Sequence, residues 1–352
     1  MQTYSRLIDP QDAVQIASQL HLLQAAGIRL DPLIDWSLAL YADNEMLATG
    51  SCFRYTLRSI AVEAEHQGSG LMAQLITELE KEAARRSLER LMLVSQPKDR
   101  KLFSAVGFTA LAETGRGVTL MENSAALFPD FLRKLETDFS RLPSFGSRPP
   151  RRAAIVMNAN PFSKGHRFLV ESALQECDQL LLLVLSDDPP DGFTFEQRFE
   201  MVRRGCADLP QVLTAASGPY AVSTASFPSY FYPPSELHES SPFLNDEAEL
   251  DAALFARIAE YLGISRRFVG SEPLSALTNF YNHVLSRELA PAGIELCVVE
   301  RLCQDGEVVS ASRIRDFLRN KNYSAAGKLL PPTSRAFLEH LAGDDTKLQP
   351  ED

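Results

Sequence analysis

The sequence predicts an α/β protein built as two units, an α+β unit followed by a parallel-sheet unit. Three observations predict it. The chain has 352 residues, long for a single domain. A cluster of Pro, Ser, Gly and Arg at residues 141–150 reads as a linker. Beyond it, short apolar runs alternate with amphipathic helices, the pattern of a parallel sheet with helices on both faces. The boundaries are set at 1–128 for the first unit, 129–150 for a helix and linker, and 151–340 for the second unit.

Composition narrows the class. With 45% apolar and 23% charged residues, the chain is an ordinary globular protein. A formal charge of −11 argues against a nucleic-acid binder, which would carry a basic face. No apolar run is long enough to span a membrane, and the start, MQTYSRLIDP, has no secretory pattern. The five cysteines, Cys52, Cys177, Cys206, Cys297 and Cys303, are scattered, with no Cys-x-x-Cys. Metal and disulfide frameworks need tighter spacing, so reduced thiols in a cytoplasmic protein are expected, with no metal ligands.

In the first unit, residues 9–23 read as a helix and 46–53 and 55–62 as strands. Glu63-Ala64-Glu65-His66-Gln67-Gly68-Ser69-Gly70 follows, then a strong helix over 71–86. A strand near 91–94, a helix over 98–105 and a return to extended chain after Val106-Gly107-Phe108 complete it. A helix over 131–139 leads into the linker.

The second unit opens on its organising stretch. Residues 153–157 are apolar and read as a buried strand. A sharp loop over 158–164 contains Pro161, and Gly165-His166 opens a helix whose Leu169, Val170, Ala173, Leu174 and Cys177 recur at helical spacing. Strand, tight loop and helix together point free N–H groups at an anion. Further strands are expected at 180–186, 212–217, 267–269 and 294–301, with helices at 195–207, 247–262 and 279–289. That alternation is a Rossmann-like layout. Residues 226–232 form an aromatic loop that either lines a pocket or packs. Arg198 either bridges structurally, the preferred reading, or faces the pocket. Near the end, Ser310 N-caps a helix running to about Arg319, gathering Ser310, Ser312, Arg313 and Arg315 near one helix N-terminus.

Two segments carry a resemblance. Asn160-Pro161-Phe162-Ser163-Lys164-Gly165-His166 resembles the first signature of the nucleotidylyltransferase superfamily, His or Thr, any residue, Gly, His, with Ser163 in the first place. Val309-Ser310-Ala311-Ser312-Arg313-Ile314-Arg315 resembles its second signature, which ends on an Arg matched by Arg315. The first unit resembles the GNAT N-acetyltransferase fold in its strand, Gly-rich loop and helix. Gly68 and Gly70 fit the family's pyrophosphate loop, but Glu65 stands where a Gln or Arg is expected. A carboxylate beside a pyrophosphate costs about 1 kcal/mol at 4 Å even in bulk water, so both a cofactor-binding and a merely retained Gly turn stay open.

The combination is similar to the citrate (pro-3S)-lyase ligase family, which joins a GNAT-like unit to a nucleotidylyltransferase-like unit. Further blocks at 225–231 and 267–273 strengthen the likeness. The resemblance implies an ATP-dependent acid–thiol ligase. It would activate acetate as acetyl-adenylate and acetylate the phosphoribosyl-dephospho-CoA arm on the acyl carrier subunit of citrate lyase. It implies His166, Ser163 and Arg315 as catalytic residues. Asn160, Phe162, Gly165, Gly270, Glu272, Ser310, Ser312 and Arg313 would bind ATP, with Mg2+ carried on the phosphates. Two other activities fit the same motifs: adenylylation of a phosphorylated cofactor precursor, and acetyl transfer from acetyl-CoA by the first unit.

Overall fold

The structure is a computed structural model that describes residues 2–143, 148–231, 242–271 and 276–342. Contacts divide the chain into two compact units between Leu127 and Phe128.

The first unit contains β1 (Tyr4–Leu7), α1 (Ala13–Ala25), β2 (Trp36–Ala42), β3 (Glu45–Phe53), β4 (Thr56–Val62), α2 (Leu71–Arg85), β5 (Met92–Ser95), α3 (Arg100–Ala105), β6 (Thr109–Glu113) and β7 (Thr119–Glu122). Its sheet runs β1-β2-β3-β4-β5-β7-β6. The pairing is antiparallel except between β4 and β5, which meet in parallel at Thr56 and Met92. Asp12 caps α1 by accepting from the N–H groups of Val14 and Gln15. In α2, Leu71, Leu75, Ile76, Leu79 and Ala83 recur at helical spacing and are buried in one core with β2, β3 and β5.

Next is α4 (Leu127–Phe139), which starts two residues before the span read as helix and linker and lies in the second unit from Phe128 on. The rings of Phe128 and Phe131 stand 4.9 and 4.8 Å from that of Tyr220, and Arg152 covers Phe139. This helix is therefore packed into the second unit. Next come β8 (Arg152–Met157), α5 (Lys164–Leu174), β9 (Gln179–Val184), α6 (Phe195–Gly205), β10 (Val212–Ala216), α7 (Pro242–Leu262), β11 (Ile264–Gly270), α8 (Ala276–Leu289) and β12 (Glu295–Val299). A short hairpin, β13 (Cys303–Gln304) and β14 (Glu307–Val308), precedes α9 (Ala311–Arg319), α10 (Tyr323–Leu329) and α11 (Pro332–Ala342).

The five strands β8 to β12 form a wholly parallel sheet in the order β10-β9-β8-β11-β12. Every residue of β9 is buried, as expected for a strand covered on both faces. Ile155, Leu182 and Phe268 point to one face, where Val170, Met201, Ile314 and Leu329 from the helices complete a core. Strand alternation sends Val156, Arg267 and Val269 to the other face. The order reverses between β8 and β11, and in open α/β sheets ligands bind beyond the strand C-termini at such a reversal. No helix among the described residues is long and apolar enough to cross a membrane.

Candidate functional site

A cleft of about 580 Å³ opens at that reversal. Val156 and Met157 from the end of β8 and Val269 and Gly270 from the end of β11 line it. The loop after β8 lines it through Asn158, Ala159, Asn160 and Ser163, and α5 contributes Gly165 and His166. From the far end of the chain come Val309, Ser310, Ser312 and Arg315. The two signature segments therefore share one cavity.

Their junction is tight at two points. Arg315 Nη1 donates to the carbonyl oxygen of Asn160 at 2.6 Å, and its Nε donates to Asp191 at 3.1 Å. At Gly165 an added Cβ would lie 3.0 Å from the carbonyl oxygen of Val309. Only a residue without a side chain lets α5 approach the second segment this closely.

His166 is held by the helix it opens. Ser163 caps α5, its Oγ accepting from His166 N–H at 3.3 Å, while His166 Nδ1 accepts from Ser163 N–H at 3.0 Å. An accepting Nδ1 leaves the ring proton on Nε2. Burial first, and the charge of Arg301 second, push this imidazole down to about 4, so it stays neutral near pH 7. The result is a fixed, uncharged N–H donor at the edge of the cleft. Ser163 is buried and its hydroxyl is engaged in the cap, lying 2.9 Å from His166 Nδ1. That contact holds the imidazole in its orientation.

Asn160 lines the cleft but its amide is spent between loops. Nδ2 donates to the Asp191 carbonyl at 2.8 Å and Oδ1 accepts from Phe193 N–H at 2.9 Å. The Phe162 ring lies in the core, stacked 5.8 Å from the imidazole of His166 and away from the cleft lining. Ser310 caps α9 through Arg313 N–H, and Ser312 is exposed beside it. Arg313 turns out of the cleft: it pairs with Glu307 and donates to the Val308 carbonyl at 3.1 Å. Gly270 lines the cleft, and Glu272 lies outside the described residues.

Arg198 is fully buried and donates to the carbonyls of Asn158, Leu185, Asp187 and Phe193 at 2.8–3.1 Å. It ties together the loops beyond β8 and β9, the structural role expected of it. Phe227, from the aromatic loop, is buried and lines the cleft, while Tyr232 lies outside the described residues.

Two cationic residues of the cleft had not been expected there. Arg301, after β12, lines it and donates through Nε to the Ser271 carbonyl at 2.7 Å. Arg267, within β11, lines it from below. The signal for Arg301 was its place at the C-terminal end of a parallel strand; for Arg267 there was none beyond a charge inside a strand. Among the described residues no group of three or more His, Cys, Asp or Glu side chains is arranged to hold a metal ion.

Fold and site together define a two-unit α/β protein whose doubly wound unit gathers helix N-termini, an imidazole and guanidinium groups in one switch-point cleft. Residues 152–338 match the citrate lyase ligase C-terminal domain family, and residues 21–108 match the GNAT acetyltransferase family. A citrate (pro-3S)-lyase ligase of Klebsiella pneumoniae is 35% identical over 316 residues, 88% of each chain. One of Haemophilus influenzae is 32% identical, covering 90% of this chain and 93% of that protein. An acyl-CoA N-acyltransferase from Pseudomonas aeruginosa overlays 35% of this chain and all of its own at 15% identity, with a TM-score of 0.31. The chain belongs to the citrate (pro-3S)-lyase ligase family.

Proposed function

We propose that the second unit binds ATP and acetate in this cleft, forms acetyl-adenylate, and passes the acetyl group to the prosthetic-group thiol of the citrate lyase acyl carrier subunit. The carrying observation is the convergence of His166, the α5 N-terminus and Arg315 on one cavity. The relatives are named citrate (pro-3S)-lyase ligases, which supports citrate lyase as the partner in this reading.

Acetate is already a carboxylate, so its attack needs no general base. A carboxylate oxygen bonds to the α-phosphorus as the bond to the β-phosphate oxygen breaks, and pyrophosphate leaves with the electron pair. The demand on the protein is positioning and charge stabilisation. His166 Nε2–H, the donor of a neutral imidazole, donates to oxygens of the α-phosphate. Arg315, with Ser310 and Ser312 at the α9 N-terminus, holds the departing pyrophosphate. Gly270, with Glu272, takes the adenosine side. Mg2+, carried on the phosphates, would offset part of their charge; no carboxylate cage is needed for that role. In the second half-reaction the carrier sulfur bonds to the acyl carbon, AMP leaves with the electron pair, and the thiol proton passes to solvent. A cytoplasmic setting, expected from the scattered cysteines, belongs to this reading.

The test is ATP–pyrophosphate exchange with a panel of short carboxylates, followed by AMP release on addition of the carrier thiol. Acetate-dependent exchange without the carrier, and AMP release with it, are expected. Exchange that depends on a phosphorylated cofactor precursor in place of acetate would overturn the reading.

A further inference from the structure

The floor of the cleft holds a cation that the phosphate reading does not use. Arg267 is only 2% exposed, yet it lines the cavity. One nitrogen, Nη2, donates to Tyr281 Oη at 3.1 Å. Its Nε and Nη1 have no partner among the described residues. A buried charged donor left unmatched is costly, so a guanidinium kept this way points to an anion that completes it.

The surroundings fix that guanidinium in place. Its carbon lies 4.3 Å from the Phe255 ring centroid. Tyr281 in turn donates to the fully buried Asp251, which also accepts from Ser226 Oγ at 2.7 Å and Val222 N–H at 2.5 Å. Val222 sits at φ 40°, a conformation that strains a β-branched residue. The same network thus anchors both the cation and a wall beside it. Leu185, Val222 and Phe227, all nearly buried, form that apolar wall with Val156.

We propose that Arg267 is the carboxylate-binding group for the acid substrate, with the wall of Leu185, Val222 and Phe227 receiving its short alkyl end. This rests on the acetyl-adenylate reading and adds to it the subsite of the second substrate. A fixed cation at the floor offers one of its unpartnered N–H groups to one carboxylate oxygen. The other oxygen is left to face the α-phosphorus. It also lowers the repulsion between two anions brought together in one cleft.

The test uses the full chain and acetate-dependent ATP–pyrophosphate exchange. Arg267→Met is expected to raise the KM for acetate about a hundredfold and Arg267→Lys about tenfold. The KM for ATP should stay within about twofold of wild type in both. An unchanged acetate KM in either folded variant overturns the assignment. Because Arg267 is buried, a second measurement uses only the wild-type protein: inhibition of hydroxamate formation from radiolabelled acetate by fluoroacetate or by acetamide. Fluoroacetate, a carboxylate, should compete and acetamide, the uncharged counterpart of acetate, should not; equal competition by acetamide overturns the assignment. If the wild type shows no acetate-dependent exchange, the adenylate reading fails and takes this subsite with it. Exchange with an unaltered acetate KM in the variants removes Arg267 alone.

Discussion

The guanidinium of Arg315 donates to the backbone carbonyl of Asn160 at 2.6 Å across 155 positions of sequence. This contact closes the cleft: it fastens the helix that begins at Ala311 to the loop that follows β8. With Asp191 taking Nε, the guanidinium is oriented before any ligand arrives. Arg315→Lys keeps the charge but loses the planar fork. We expect its kcat/KM for ATP to fall about a hundredfold, the cost of one charged hydrogen bond with lost orientation. Steady-state exchange at varied ATP checks this.

Gly165→Ala separates catalysis from stability. Alanine gains up to about 1 kcal/mol in helix propensity, but its Cβ would press on the Val309 carbonyl at 3.0 Å. Thermal melting should shift little while exchange falls more than about tenfold. A variant with wild-type exchange would show that the close approach of the two segments is not required.

Gly192→Ala attacks the loop clamp. Gly192 has φ 95°, and an added Cβ would fall 2.3 Å from Asn160 Oδ1. The variant must break the bonds from Asn160 to Asp191 and Phe193 or adopt another backbone. We expect a lower melting temperature, by roughly 1–3 kcal/mol of stability, and a raised KM for ATP. Differential scanning calorimetry and exchange kinetics measure the two effects.

The pH dependence follows from His166, whose imidazole is pushed from 6.5 down to about 4. The unfolded chain takes up that proton near its ordinary value, and the folded chain only near the depressed one. The stability linked to this residue is therefore present above 6.5 and lost as pH falls toward 4. His166→Gln should flatten that part of the stability profile. Its neutral ring should also keep exchange independent of imidazole protonation across the neutral range, which a pH–rate profile of the wild type reads directly.

Replacement of Gly68 and Gly70 in the first unit should leave adenylate formation unchanged. Both residues have positive φ and open space around the Cβ position, so substitution strains only their own turn. Loss of exchange in a folded double variant would show that the two units do not act separately.

Much of this architecture was readable because periodicity and capping agree. Strands β8 and β9 are short apolar runs, and the helices after Ser163 and Ser310 open on good caps. The parallel order followed from their alternation. Elsewhere the pattern was silent. β1 is exposed along its whole length, so no alternation marks it. The hairpin before α9 has two residues per strand, too few for any period. Within the site, Arg313 and Arg315 stand two positions apart on one helix, where side chains do not share a face. Both were read as site residues, and the helix turns only Arg315 into the cleft. Phe162 was read with the phosphate loop, but its size sends the ring into the core beside Gly205. Arg267 was hidden because buried charge has no sequence signature; only the assembled network of Tyr281, Asp251 and Phe255 explains it.

The most direct measurement of the central claim is acetate-dependent ATP–pyrophosphate exchange by His166→Ala alongside wild type, with folding checked by thermal melting. A folded variant whose exchange is nearly abolished, against robust acetate-dependent exchange in the wild type, is the predicted result. Exchange at the wild-type rate in the folded variant would contradict the claim that the imidazole at the head of α5 serves adenylate formation.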